Sequence, residues 1–119
     1  MTVVVGNCGL LYGSVSSPLS FTHDVESGSD RLIVVAVVLY KSTSGIPSAV
    51  SGVTYGGSPL SFISSRADAV GTGGTRVEIW GRAGIPVGVA VVAVSSSGPV
   101  STVYAVASSY SGVHQATPF

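Results

Sequence analysis

His23, Asp24, Glu26 and Asp30 crowd one stretch of the chain, and hard oxygen donors on a loop can hold Ca²⁺. Their spacing does not match an EF-hand, which needs Gly at the sixth position and Glu at the twelfth. A solvated acidic loop with Arg31 as local counter-charge is the simpler expectation. Zinc fares worse, because His23 and His114 stand far apart and Cys8 is the one thiol. Serines abound, yet no Gly-x-Ser-x-Gly elbow occurs. Cys8, in Gly6-Asn7-Cys8-Gly9, has no cationic neighbour to activate it and is expected to be a small buried hydrophobe. A glycosidase pair would have to come from Asp24, Glu26, Asp30, Asp68 and Glu78. Glu78 lies between Val77 and Ile79 with Arg76 two residues away, so a surface ion pair or a cross-strand partner is expected. Asp68 is expected in an Arg66-Ala67-Asp68 loop, pairing locally. Gly71-Thr72-Gly73-Gly74-Thr75 has neither phosphate-loop spacing and reads as a turn. No catalytic, cofactor-binding or metal-ligating residue is expected.

Aromatic side chains remain. Trp80, between Ile79 and Gly81, is expected in the core. Tyr12, Tyr40, Tyr55, Tyr104 and Tyr110 include rings that a small domain must leave partly exposed, for sugar stacking or subunit contact.

The elements that position these residues are strands. No window spaces apolar residues at helical period, while Val, Ser, Thr and Gly saturate the chain. Strands are expected near 2–5, 9–15, 18–23, 31–40, 49–55, 59–64, 75–81, 88–95 and 102–111. Gly56-Gly57 and Gly71–Gly74 mark hairpins. Eight or nine short strands with no helices between them predict one antiparallel β-sandwich, jelly-roll-like, over residues 1–119.

Leu32–Tyr40 is the most informative run. Leu32, Val34, Ala36 and Val38 face one way and Ile33, Val35, Val37 and Leu39 the other. Both faces are apolar, where an exposed sandwich face should be polar. One set belongs in the core; the other needs a loop or a partner. Ile33, Val35, Val37, Leu39, Tyr40, Tyr104 and Tyr110 are the expected partner contacts.

Composition narrows the partners. The chain is 45% hydrophobic but only 8% charged, with five basic and five acidic residues. That balance lacks the basic footprint of nucleic-acid binding and the charge that drives membrane docking. One Lys, Lys41, guards all the strand edges, so a free chain would self-associate unless neighbours occupied its surfaces. A homo-oligomer or assembly subunit is expected. One cysteine allows no intrachain disulfide, and the start lacks the charged leader of a signal peptide. The chain is therefore expected to fold in the cytoplasm, without Sec export. The longest apolar stretch is far short of the roughly 20 residues of a membrane helix.

Four blocks carry a family resemblance. They are Ser20-Phe21-Thr22-His23 with Gly28–Val35, Val50–Leu60, Arg76–Trp80 with Ile85–Gly88, and Tyr110–Pro118. Together they resemble a jelly-roll β-sandwich module of bacterial surface and secreted proteins and of phage structural proteins. The Val-Thr-Tyr-Gly-Gly block and the Gly-Val-x-Gln-x-Thr-Pro ending are its specific parts. The resemblance implies fold far more than activity, and carries over no catalytic residue. A stand-alone copy resembles the small decoration or cement proteins of phage capsids. What that implies is a structural protein of the virion surface, assembled in host cytoplasm and bound to the major capsid protein. The alternative is a carbohydrate- or cell-surface-binding module of an extracellular scaffold.

Overall fold

The computed structural model describes residues 3–14, 18–98 and 101–119. Thr2 and Val15, at the ends of two expected strands, lie outside them. Ten strands form: β1 (Val4–Cys8), β2 (Tyr12–Ser14), β3 (Leu19–Val25), β4 (Leu32–Lys41), β5 (Val50–Tyr55), β6 (Ser58–Pro59), β7 (Ser61–Val70), β8 (Gly73–Ala83), β9 (Gly88–Ser96) and β10 (Thr102–Ser111). All ladders are antiparallel. The larger sheet runs β1-β10-β4-β8-β7, with β2 beside β10, and the smaller runs β3-β9-β5-β6.

The pairs β1–β10, β3–β9, β4–β8 and β5–β6 nest inside one another. A long hairpin rolled up on itself gives this order, which is the jelly-roll order; β7 is an added strand that extends one edge. At the centre of the nest, Gly56 and Gly57 have φ of 58° and 82°. A type I′ two-residue turn places both central residues at positive φ, which glycine adopts without steric cost.

Alternation builds the core. Ile33, Val35, Val37 and Leu39 of β4 lie in it with Val103, Ala105 and Ala107 of β10. Leu19, Phe21, Val25, Val53, Tyr55, Val92 and Val94 close it from the smaller sheet. Trp80 joins the core as expected, and Phe62 meets it edge-on at 5.6 Å.

The core also holds polar groups, each partnered. Glu78 is fully buried, not at the surface. Its Oε2 accepts from Arg76 Nε at 2.7 Å and from the Val50 amide at 2.9 Å, and its Oε1 accepts from Trp80 Nε1 at 3.0 Å. One carboxylate thus ties β8 to β5 across the two sheets. Tyr55 Oη donates to the carbonyls of His23 and Gly88, both at 3.0 Å, and burial raises its pKa.

Two local expectations are corrected here. Arg66-Ala67-Asp68 is no loop: β7 runs on through it to Val70, paired throughout with β8. Cys8 is exposed, because β1 is an edge strand with open solvent beside it.

Candidate functional site

The expected contact residues divide sharply. Ile33, Val35, Val37 and Leu39 are 0% exposed and packed against the opposite sheet, so they are core and no partner can reach them. The two faces of β4 are reversed from the expectation. Leu32, Val34, Ala36, Val38 and Tyr40 face outward, and all but Leu32 reach solvent to some degree. Periodicity separates these sets but cannot rank them when both are apolar.

Neighbouring strands extend that outward face. Ala36 pairs with Ile79 of β8 and Val106 of β10, and Val38 pairs with Val77 and Tyr104. Opposite residues in a ladder share a face, so Val34, Ala36, Val38, Val77, Ile79 and Val106 form one apolar surface across three central strands. All six are half-buried. Tyr40 and Tyr104, 42% and 39% exposed, stand at one end of it, and Tyr110 at the other beside Leu32. The expected tyrosines therefore do lie on one face. At the Leu32 end the C-terminal segment folds over the sheet. The amides of Gly112 and Val113 donate to the carbonyls of Ser29 and Asp30, and a methyl built on Gly81 would overlap the Phe119 ring. The rest of the face has no cover among the described residues.

The N-terminal edge is apolar too. Val3, Val4, Val5, Leu10 and Leu11 are all more than half exposed on or beside β1. Sequence reading overlooked this ribbon, although Val3-Val4-Val5 followed by Leu10-Leu11 was signal enough. The smaller sheet offers less. Val89 and Val91 are exposed there, but Thr22, Asp24 and Thr54 flank them on the neighbouring strands.

The nearest approach to catalytic geometry is internal. His23 Nε2 lies 3.2 Å from Ser109 Oγ, and that hydroxyl is also 3.3 Å from the Asn7 carbonyl. Asn7 Nδ2 in turn donates to the Asp24 carbonyl at 2.7 Å. Burial lowers the His23 pKa, with the nearby Asp24 charge opposing. A nucleophilic serine needs access to substrate and a base oriented by a third group. Ser109 is 2% exposed, and no carboxylate bonds the His23 ring among the described residues. The cluster joins β1, β3 and β10; its chemistry is that of a structural bridge.

The acidic stretch does not converge either. His23 points inward while Asp24 points out, and no three His, Cys, Asp or Glu side chains come together among the described residues. Arg31 serves backbone, donating to the carbonyls of Ile85 and Gly28, in place of the expected carboxylates. His114 bonds locally in the C-terminal segment, its Nδ1 accepting from the Thr117 amide at 3.1 Å.

What the arrangement can do is pack. A low-charge, largely apolar sheet face bordered by an apolar edge ribbon suits burial against another surface. Compared with protein-family models, with curated proteins and with solved structures, the chain matches none.

Proposed function

We propose that the chain is a non-enzymatic structural protein, a decoration or cement protein of a phage capsid that stabilises the shell by packing against its major subunits. The observation that carries this reading is the outward face of the larger sheet. Across β10, β4 and β8 it presents valine, alanine and isoleucine where a free sandwich would place charge. Burial of such a face contributes roughly 25 cal/mol per Å² and needs no ion pairs. The exposed Val3–Val5 and Leu10–Leu11 ribbon adds area at the same end of the sheet order. The test is density-gradient separation of source material with peptide mass spectrometry on each fraction. The proposal expects this chain at high copy in a nuclease-resistant particle band, and recovery only in soluble or envelope fractions contradicts it.

A second reading has one specific observation in its favour. Tyr40 and Tyr104 lie exposed on adjacent strands, where flat rings could stack on a sugar. A glycan-binding module predicts a binding signal on a glycan array that Tyr40→Ala and Tyr104→Ala both abolish.

A further inference from the structure

The geometry points to a second copy of this chain as the occupant of the free edge of β7, through a two-fold antiparallel pairing centred on Ala67. β7 is long and pairs with β8 on one side; no described strand lies on the other. An open strand of this length is a template for another strand unless something blocks it. Here the blocking charges cancel. Arg66 and Asp68 are both exposed and, two residues apart, project from the same face. Their partners across the β8 ladder are Val77 and Thr75, and neither charge is answered by an ion pair among the described residues. Arg76–Glu78 is the ion pair among the described residues.

A second copy answers both charges at once. In an antiparallel pair about a two-fold axis at Ala67, Arg66 of each copy lies opposite Asp68 of the other. Isologous contacts double every complementary pair in this way. The register also sets 64 against 70 and 65 against 69, pairing the strand over 64–70. Because paired positions have the same parity, their backbone groups point to the same edge, and the ladder closes whichever set faces out. The axis stands perpendicular to the sheet, so the outward faces of both copies merge into one. A foreign antiparallel strand would need the same two charges at the same spacing and in the same chain order; this chain carries them already. The pairing goes beyond the capsid reading and does not rest on it, since it uses β7 alone.

A strand pair of this size is a small interface of the transient class. Sedimentation of the purified full chain up to about 1 mM reads it. The expected result is a monomer–dimer equilibrium that NaCl weakens, because the two ion pairs are exposed to screening. Arg66→Asp and Asp68→Arg should each weaken the dimer about tenfold by setting like charges opposite one another. The double variant Arg66→Asp/Asp68→Arg should restore it. Thermal melting followed by circular dichroism checks the fold of each variant; if a reversal lowers the midpoint, Arg66→Ala and Asp68→Ala replace it and should also weaken the dimer. A wild-type chain that stays monomeric, a dimer indifferent to the single changes, or a double variant that does not recover overturns the pairing. Loss of the dimer leaves particle association untouched, so the two proposals fail separately.

Discussion

Glu78 shows how one side chain can hold two sheets together. Its carboxylate receives Arg76, Trp80 and the Val50 amide, so removing it leaves two buried donors and the half-buried Arg76 guanidinium without their acceptor. Glu78→Ala is expected to cost about 3–5 kcal/mol in urea denaturation, the range for breaking a buried charge pair. Glu78→Gln keeps an acceptor oxygen and should cost less. His23 works through its neutral form. Burial holds its pKa below 6.5 in the folded chain, so the unfolded chain binds the proton more readily. Stability is therefore whole above about pH 6.5 and is lost as pH falls toward the folded value. Urea midpoints between about pH 8 and 5 should show this loss, and His23→Gln should flatten it.

Strands were legible where punctuation and period agreed, and illegible where either fell silent. Thr102–Ser111 forms β10 with the bounds its residues suggested, and the Gly56-Gly57 hairpin stands where a paired positive φ was needed. Arg66–Val70 was missed because its charge and small residues resemble a loop, while its strand character comes from pairing with β8. Cys8 was placed inside by residue type, but edge position decides exposure and no residue announces it. Above all, β4 could not reveal its inner face. Apolar on both sides, it takes its orientation from which set meets Phe21, Val53 and Val92 across the sandwich. The contrast is measurable: Val35→Ala should cost about 2 kcal/mol through lost burial and a cavity. Val38→Ala on the outer face should cost less than about 1 kcal/mol. Equal costs would show that both faces are packed within the single chain.

The described residues form an elongated body of 46 × 23 × 20 Å with one apolar sheet face and almost no charge to direct an encounter. Two proposed surfaces follow from its topology: the outward face of the larger sheet, for packing, and the edge of β7, for pairing. They differ in their response to salt, since screening weakens charge pairs and leaves apolar burial intact. Val38→Lys places a charge on the packing face, between Val77 and Tyr104, and should release the chain from particles while its melting curve stays close to wild type. The most direct measurement is retention on purified particles washed in about 1 M NaCl, wild type beside Val38→Lys. The account predicts that wild type stays bound through the wash and the variant does not bind. Release of wild type by salt, or equal binding of the two chains, would contradict it.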